Sequence, residues 1–459
     1  MVAHGIPSET IEAGRVGPGP AARPLPPLSP LRPGDSRPGQ GAAALLRPVI
    51  AALLGPSPSV RFVFWDGTTC GPSDAPGSVR VVSPAALRRL LWAPGQLGLA
   101  RAYVAGELDL EGDLFVLLGA LREAAPADLR FGAKVVPAVA RAAARLGALG
   151  PPPEPPPEEH RPRGRRHSLR RDARSIGHHY DVSGDFYRIV LGPSMTYSCA
   201  RFVDRHTTLA EAQEAKHELI CRKLGLHELS DARLLDVGCG WGSLALHAAS
   251  RHGARVVGVT ISAEQRAAAR ERVRAAGLAD RVEIRLQDYR TLAGETFDAI
   301  SSVGMFEHVG SERAAEYFAT LYGLLAPRGR LLNHAISAAG GSRLGGRSFM
   351  ARYVFPDGEL VDVGDVVLGM ERAGFEVRDV ESLREHYART LRAWVANLEA
   401  DWERAVALAG MARARVWRLY MAASAVGFED GGVAIHQVLG TKTDDHGRSG
   451  MPRTRRDWD

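Results

Sequence analysis

Short apolar runs alternate with longer amphipathic stretches between residues 233 and 337. The apolar runs are rich in β-branched and aliphatic residues, as buried strands are: "RLLDVG", "ARVVGVTI", "RVEIRLQD", "FDAISSVGMF" and "GRLLNHAIS". The stretches "SLALHAASRHG" and "SAEQRAAARERVRAAGL" have helical spacing, and the second begins at Ser262, carries Glu264 in its first turn and ends near Gly277. Such alternation predicts a doubly wound α/β domain over residues 176–442.

The N-terminal third has a different pattern. Residues 1–44 are rich in Pro, Gly and Ala, which predicts a disordered tail. Over residues 45–150, "VRFVFWDG" alternates like a strand, whereas "SPAALRRLLW" and "AKVVPAVARAAARLGALG" have helical patterns. These features predict a smaller, mostly helical N-terminal domain, a Pro- and Arg-rich linker over 151–175 and a C-terminal tail over 443–459.

The arginines of this linker have two interpretations. They are either a solvated spacer or a contact with an anionic membrane surface, where each basic residue contributes about 1 kcal/mol. The net charge of +6 and the pI of about 9.3 favour a polyanionic partner, either nucleic acid or an anionic membrane. Charge alone does not choose between them.

Apolar runs and cysteines limit the class of protein. No apolar run reaches 18 residues and the N-terminus lacks the order of a secretory signal, so we expect no transmembrane helix. The cysteines are Cys70, Cys199, Cys221 and Cys239, and none has CxxC spacing. We therefore expect a reduced, cytoplasmic protein with neither a zinc ribbon nor a bound metal.

The loop "LLDVGCGWG", Leu234–Gly242, is the first candidate for chemistry. Its three glycines allow a tight turn and a close backbone approach by a ligand. A dinucleotide-binding loop would read G-x-G-x-x-G with an acid about 20 residues later, but here the second strand ends in Thr260, and there is no Walker lysine. The D-x-G-x-G-x-G spacing looks like the S-adenosylmethionine (SAM) loop of class I methyltransferases.

Four further segments accompany this loop in order along the chain: "HHYDVSGDFYRIVLGPSMTYSCARF", "GMFEHVG", "LLNHAIS" and "LREHYARTLRAWVANLE". Together the five resemble cyclopropane-fatty-acyl-phospholipid synthases and their mycolic-acid relatives, over residues 176 to 440. In the N-terminal part, "LGLARAYVAGELDLEGDL" resembles the accessory lipid-associated domain of the long members. The resemblance implies a class I SAM-methyltransferase fold and, more weakly, a homodimer.

The resemblance also implies roles for individual residues. Contacts to SAM would come from residues of the glycine loop and of three other segments: Tyr197, Ser198, Asp236, Gly238, Gly240, Thr260, Ile261, Gln265, Asp288 and Tyr289. A bicarbonate ion beside the transferred methyl would be gathered by a second set: Cys199, Glu307, His334, Tyr387 and the backbone of Ile336. Taken singly, each of these has an ordinary structural interpretation, such as a helix cap for Glu307 or a core histidine for His334, and His308 is interpreted as structural.

The implied chemistry is methyl transfer to the double bond of an unsaturated acyl chain in membrane phospholipid. An alkene is a poor nucleophile, so the electrophilic sulfonium must be held against it, and the resulting carbocation must lose a proton away from water. A buried base such as bicarbonate suits that task, and nearby aromatic rings would stabilise positive charge by about 0.5–2 kcal/mol each.

Two products, a cyclopropane ring and a methylene branch, are compatible with the sequence. After "RYVFP" many cyclopropane synthases continue with Gly-x-Leu/Ile-Pro-Ser, whereas this chain has "DGELVDVGDV" over residues 357–366. Some actinobacterial relatives form a methylene branch instead of a ring, from the same cation, and a branch would imply a separate partner reductase.

Two other classes of function compete with this one. The first is a SAM-dependent methyltransferase acting on another small molecule or nucleic acid, and the second is a non-catalytic lipid-binding protein. The chain has no RNA-binding module, no N/D-P-P-Y/W motif and no loss of a key residue. We therefore expect a lipid-modifying enzyme, peripheral at the inner face of the membrane, with no nucleic-acid partner.

Overall fold

The computed structural model describes residues 41–124, 135–160, 183–340 and 348–458. The helices are α1 (Ala42–Leu54), α2 (Ala85–Trp92), α3 (Gln96–Val104), α4 (Leu114–Ala124), α5 (Val135–Arg145), α6 (Gly184–Leu191), α7 (Leu209–Lys223), α8 (Ser243–His252), α9 (Ala263–Ala275), α10 (Ala314–Leu324), α11 (Val363–Arg372), α12 (Arg384–Ala400), α13 (Trp402–Ala409) and α14 (Met411–Glu429). The strands are β1 (Arg61–Phe64), β2 (Thr69–Cys70), β3 (Gly77–Val81), β4 (Leu108–Gly112), β5 (Arg233–Val237), β6 (Arg255–Thr260), β7 (Val282–Leu286), β8 (Phe297–Val303), β9 (Leu325–Ala338), β10 (Val361–Asp362), β11 (Glu376–Ser382) and β12 (Val433–Thr441).

The larger sheet has the strand order β11-β12-β9-β8-β5-β6-β7, with β10 added beside β9. Strands β7, β6, β5, β8 and β9 are parallel, and β12 and β11 are antiparallel to their neighbours. All five predicted strands are present, so the predicted doubly wound α/β fold is confirmed. The strand order reverses at β5, and ligands bind outside the carboxyl ends of the strands at such a point.

Both faces of this sheet are covered, which is why its strands read as continuous apolar runs. Leu234 and Val256 pack with α7, α8 and α9 on one face, whereas Leu235 and Val257 pack with α10 and α11 on the other. The predicted helix start is also confirmed, because the Ser262 hydroxyl accepts a hydrogen bond from the Gln265 N–H at 3.2 Å.

The N-terminal unit holds more sheet than its sequence pattern indicates. Its helices α1 to α5 accompany a four-stranded sheet of order β2-β1-β3-β4, of which only β1 is evident in the sequence. Helix α1 begins at Ala42, before the predicted domain start at residue 45. The reason is long-range: Asp66 Oδ2 accepts the Ala42 N–H at 2.6 Å, and Thr68 Oγ1 accepts the Ala43 N–H at 3.0 Å.

The predicted N-terminal tail, linker and C-terminal tail differ in how far the structure describes them. Residues 1–40 and 161–182, which include most of the predicted tail and the arginines of the linker, lie outside the described residues. The predicted C-terminal tail, in contrast, packs on the larger domain: Trp458 is buried in its core and the Gly450 carbonyl accepts a hydrogen bond from Arg330 at 3.0 Å.

A buried arginine joins the two units. Arg415 of α14 is 2% exposed, and its guanidinium donates hydrogen bonds to the carbonyls of Tyr103 and Leu108, both at 2.7 Å. It also lies 3.2 Å from the Asp109 carboxylate and 4.2 Å from the centre of the Tyr103 ring. Among the described residues, no helix is long and apolar enough to cross a bilayer.

Candidate active site

A cleft opens at the carboxyl ends of β5, β6, β7 and β8. It is lined by all ten residues for which the sequence predicts contacts to SAM: Tyr197, Ser198, Asp236, Gly238, Gly240, Thr260, Ile261, Gln265, Asp288 and Tyr289. These residues come from four separate segments, and the fold brings them to one surface. The geometry therefore supports one binding site for an elongated ligand.

The glycine loop forms the centre of this cleft. The N–H groups of Gly238 and Cys239 both donate to the Val259 carbonyl at 3.0 Å, which fixes the loop against the end of β6. Gly238, Gly240 and Gly242 have φ angles of +76°, +54° and +78°, a region that L side chains rarely adopt. Gly242 caps α8, so the positive end of that helix dipole faces the loop.

Replacing Gly240 by Ala is expected to weaken binding of S-adenosylhomocysteine by at least about tenfold, or about 1.4 kcal/mol. A Cβ at this position would meet no protein atom within 4 Å, so the methyl would occupy the cleft instead of the core. Isothermal titration calorimetry measures the affinity. Gly277→Ala is the control, because Gly277 is exposed outside the cleft with φ +68° and an equally open Cβ position.

Both variants should lose about 1–2 kcal/mol of folding free energy through the left-handed backbone. Equal affinities in the two variants would contradict the assignment of the glycine loop to the cofactor.

A polar network forms one wall of the cleft. The Asp236 carboxylate accepts a hydrogen bond from the Ser301 hydroxyl at 2.8 Å, and burial raises its pKa to about 6. Lys216 of α7 is buried, and its ammonium donates to the Ser198 hydroxyl at 2.9 Å. Burial lowers the pKa of Lys216 to about 7. Lys216 therefore anchors the Ser198 hydroxyl at the wall of the cleft.

The side of the cleft formed by Thr260, Gln265 and Asp288 is built from short-range contacts. The Thr260 hydroxyl donates to Gln265 Oε1 at 2.9 Å, which fixes the amide. The Asp288 carboxylate receives the Arg290 guanidinium at 2.9 and 2.7 Å. Burial raises the pKa of Asp288, but the hydrogen bonds from Arg290 outweigh that effect and hold it below its usual value. Asp288 is therefore an ionised hydrogen-bond acceptor.

A second cluster lies outside the lining of this cleft and centres on Glu307. Strand β8 ends at Val303, and beyond that point Glu307 Oε1 accepts the Ile336 N–H of β9 at 2.7 Å. The Glu307 carboxylate thus accepts the Ile336 N–H beyond the point where β8 stops pairing with β9. Its other oxygen, Oε2, is shielded from solvent and has no hydrogen-bond partner among the described residues. Burial raises the pKa of Glu307 to about 7.

His334 stands two residues before Ile336 on the same strand. It is fully buried, and its Nδ1 lies 3.2 Å from the Gln437 side-chain nitrogen on β12. Its Nε2 has no hydrogen-bond partner among the described residues. Burial lowers the pKa of His334 well below its usual value, so the ring is neutral. Glu307 and His334 each therefore present one unsatisfied polar atom to the interior.

Backbone contacts link the other two predicted members, Cys199 and Tyr387, to strand β12, which pairs with β9. The Leu383 carbonyl accepts the Tyr387 N–H at 3.0 Å and lies 3.7 Å from Cys199 Sγ. The Leu383 N–H donates to the carbonyl of Ile435, the residue that pairs with Ile336 across the β12–β9 ladder. Burial raises the pKa of Cys199, which is therefore a thiol and not a thiolate. Cys199 follows Ser198 in the chain, so its thiol belongs to the residue next to one that lines the cleft.

Aromatic rings surround Tyr197, the residue before Ser198. The Tyr197 ring centre lies 5.3 Å from that of Trp394, 5.5 Å from that of Trp417 and 6.0 Å from that of Tyr187. The Tyr197 and Tyr420 hydroxyls are 2.9 Å apart. An apolar environment with electron-rich ring faces excludes water and favours positive charge.

Comparison with known proteins decides the family. The family model described as "Mycolic acid cyclopropane synthetase" matches residues 167–438, more than half of the chain. The chain belongs to this family. The resemblance inferred from the sequence motifs is therefore confirmed.

Members of the cyclopropane synthetase family match most of the chain. A Mycobacterium tuberculosis protein named probable fatty acid methyltransferase Rv3720 is 45% identical over 411 residues, 86% of this chain and 93% of the relative. The cyclopropane-fatty-acyl-phospholipid synthase of Escherichia coli K12 is 35% identical over 370 residues, 80% of this chain and 88% of the relative. The crystal structure of mycolic acid cyclopropane synthase CmaA1 with SAH and CTAB superposes with a TM-score of 0.55 at 33% identity, over 58% of this chain and 97% of that one.

The segment that departs from many cyclopropane synthases contacts the Glu307 loop directly. The Glu359 N–H donates to the Glu307 carbonyl at 3.0 Å. The Glu359 carboxylate accepts hydrogen bonds from the Ser311 N–H at 3.2 Å and the Ser311 hydroxyl at 2.8 Å. The departure thus lies where it supports the predicted catalytic carboxylate, not at a distance from it.

Sequence reasoning missed several residues of this family site. Lys216 lines the cleft, and the available signal was a lysine on the buried face of α7, in helical register with Ala212 and Leu219. His308, interpreted as structural, lines the cleft too, with its ring centre 6.3 Å from that of Phe355. Gln437 gives no sequence signal, because its role follows only from pairing with His334 across the sheet.

Proposed function

We propose that this chain transfers a methyl carbon from SAM to the double bond of an unsaturated fatty acyl chain in membrane phospholipid. The observation that carries the proposal is the cleft lined by all ten predicted SAM contacts, together with two buried polar atoms, Glu307 Oε2 and His334 Nε2, that lack hydrogen-bond partners among the described residues. When bound, SAM supplies an electrophilic methyl group on its sulfonium.

The residues of the cleft act by holding and orienting. The glycine loop admits a ligand to close backbone contact, and Thr260, Gln265 and Asp288 present polar atoms to its nucleoside part. Lys216 fixes the Ser198 hydroxyl through a hydrogen bond. Such positioning replaces a bimolecular encounter by a step within one complex, which is the main source of rate for a poorly nucleophilic alkene.

The second cluster fits a small oxyanion such as bicarbonate. Glu307 Oε2 and His334 Nε2 are buried polar atoms that lack partners among the described residues, and buried polar groups are normally satisfied. Glu307, His334, Tyr387 and Cys199 would hold the ion, and the Ile336 N–H, already bonded to Glu307, would keep that carboxylate in place. Bicarbonate would supply a base for the proton that the alkylated chain loses.

Ring and methylene branch both remain candidate products, because they share a cation and differ in the proton that is lost. Glu359 holds the backbone of Glu307 in the segment that departs from many cyclopropane synthases. The position of the Glu307 carboxylate, and of the base that it would hold, relative to the acyl chain decides which proton is within reach. A branched product would require a partner reductase to saturate it.

The chain is proposed to act at the inner face of the membrane, as a peripheral protein and a homodimer. The net charge of +6 favours anionic lipid. On the N-terminal unit, Trp92 and Leu149 are 53% and 56% exposed, and the Trp92 indole N–H donates to the carbonyl of Gly150, next to Leu149. Exposed tryptophan suits the interface between headgroups and acyl chains.

Product analysis tests the proposal. The protein is incubated with SAM, bicarbonate and vesicles of oleoyl phospholipid, and the released acyl chains are analysed by gas chromatography–mass spectrometry and proton NMR. We expect a mass gain that requires SAM; high-field ring protons identify a cyclopropane, and vinylidene protons identify a methylene branch. No mass gain on vesicles of any headgroup or double-bond position would overturn the lipid function.

A further inference from the structure

A compact group of metal-binding side chains lies between α7 and α8, away from the active site. Glu218 and Cys221 are one turn apart on α7, and His247 and His252 lie at the middle and at the end of α8. One donor atom each from Cys221, His247 and His252 lies within 4.8 Å of the others. Glu218 Oε2 lies 3.1 Å from His247 Nε2 and 3.0 Å from His252 Nε2. Three donors therefore gather at one place, and the Glu218 carboxylate contacts the two histidines among them.

We propose that Glu218, Cys221, His247 and His252 bind a divalent transition-metal ion, with zinc as the best match. In a tetrahedral zinc site, with zinc–nitrogen distances of about 2.0 Å and a zinc–sulfur distance of about 2.3 Å, neighbouring donor atoms lie about 3.3–3.7 Å apart. Glu218 Oε2 lies 3.1 and 3.0 Å from the two histidine nitrogens, close to that spacing, and the cysteine and histidine donors lie within 4.8 Å of one another. The site is thus nearly formed by the packing of two helices.

The donor set selects the kind of metal. One sulfur, two imidazole nitrogens and one carboxylate oxygen suit zinc or cobalt, whereas magnesium and calcium prefer oxygen alone. A thiolate and a carboxylate together carry two negative charges, which neutralise a divalent cation. Four protein ligands leave no open position, so the site is structural and not catalytic.

Burial supports a persistent site. Cys221 is fully buried, and the side chains of His247 and His252 are 9% and 7% exposed. Glu218 is 35% exposed and provides the side from which an ion enters. Without a metal, the same groups form a hydrogen-bonded network that includes Arg222, 2.8 Å from Glu218 Oε1. The metal-bound and metal-free arrangements differ in the Cys221 thiol, which loses its proton when it binds the ion.

The location gives the metal a use. Helix α8 begins at the glycine loop, and α7 carries Lys216 to the cleft. An ion that clamps the later turns of both helices fixes the direction from which their other residues approach the cofactor. The spacings E-x-x-C and H-x4-H are not those of common zinc motifs, which is why the sequence alone predicts no metal.

Cobalt substitution tests the proposal. The full-length chain without an affinity tag is dialysed against chelator, titrated with Co²⁺ and followed by absorption spectroscopy. We expect one equivalent to bind, with the intense visible bands of tetrahedral cobalt and a sulfur-to-cobalt charge-transfer band, and Zn²⁺ to displace it. Cys221→Ser should abolish the charge-transfer band. His252→Gln should weaken binding by at least about tenfold, the lower end of what loss of even an outer partner costs.

Cys70→Ser is the matched control, since Cys70 is also buried and free but lies in the N-terminal unit, and it should keep the full spectrum. Absence of a stoichiometric tetrahedral spectrum overturns the proposal, as does an unchanged charge-transfer band in Cys221→Ser. If Cys221→Ser fails to fold, His252→Gln decides, because that residue ends α8 outside the core. The readout needs neither SAM nor lipid, so its failure leaves the proposed methyl transfer untouched.

Discussion

Replacing Glu307 by Gln is expected to lower turnover by about 10²- to 10⁴-fold, the range for loss of a group that handles a proton in the transition state. The amide keeps the shape of the side chain. Its oxygen can still accept the Ile336 N–H, so the loop should stay in place. What is lost is the negative charge at the buried Oε2 position. The affinity for S-adenosylhomocysteine should not change, because Glu307 does not line the cofactor cleft.

Steady-state assays on oleoyl phospholipid vesicles measure the turnover, and calorimetry measures cofactor affinity. Glu312→Gln is the matched control: Glu312 is an exposed carboxylate five residues along the same connection, and its replacement should leave both quantities unchanged. A Glu307→Gln enzyme with wild-type turnover would remove the carboxylate from the mechanism. Loss of cofactor binding would instead indicate a structural role.

The pH dependence separates these roles further. Burial raises the pKa of Glu307 to about 7, so turnover of the wild type should rise with pH through that value, and Glu307→Gln should lack this step. For stability the sign is opposite. The folded state holds the proton more tightly than the unfolded state, so the contribution is complete below the usual pKa of 4.5 and is lost as pH rises to about 7.

Replacing Arg415 by Ala is expected to cost about 3–5 kcal/mol in the free energy of unfolding, the range for removing one member of a buried ion pair. The truncation removes the guanidinium from the carbonyls of Tyr103 and Leu108 and from the Asp109 carboxylate. It also removes the cation from the face of the Tyr103 ring. Because these contacts join α14 to the N-terminal unit, the loss should loosen the attachment of that unit.

Urea denaturation followed by tryptophan fluorescence measures the change. Arg404→Ala is the control, since Arg404 lies on the neighbouring helix α13, is 64% exposed and stands 3.7 Å from Asp401. Such a surface pair contributes about 0–1 kcal/mol. An Arg415→Ala variant as stable as the control would show that the Arg415 contacts are not needed to hold the two units together.

Local patterns in the sequence determined a large part of the fold. Five parallel strands, the start of α9 at Ser262 and the glycine loop after Asp236 are all where the sequence places them. Each depends on residues within a few positions of one another: the alternation of apolar side chains, a capping hydroxyl, glycines at a turn. The order of five family motifs likewise identified the family and, with it, ten residues that all line the cleft.

Only the tertiary structure decided which distant residues contact one another. Gln437 meets His334 from 103 positions away, and Glu307 completes the ladder of β9 because β8 stops short of Ile336. The sheet of the N-terminal unit, the burial of Arg415 and the convergence of Cys221 with two histidines arise in the same way. A residue's own side chain and neighbours set the period and the caps of an element, whereas a buried charge or an orphaned carboxylate takes its role from atoms that folding alone brings within hydrogen-bond distance.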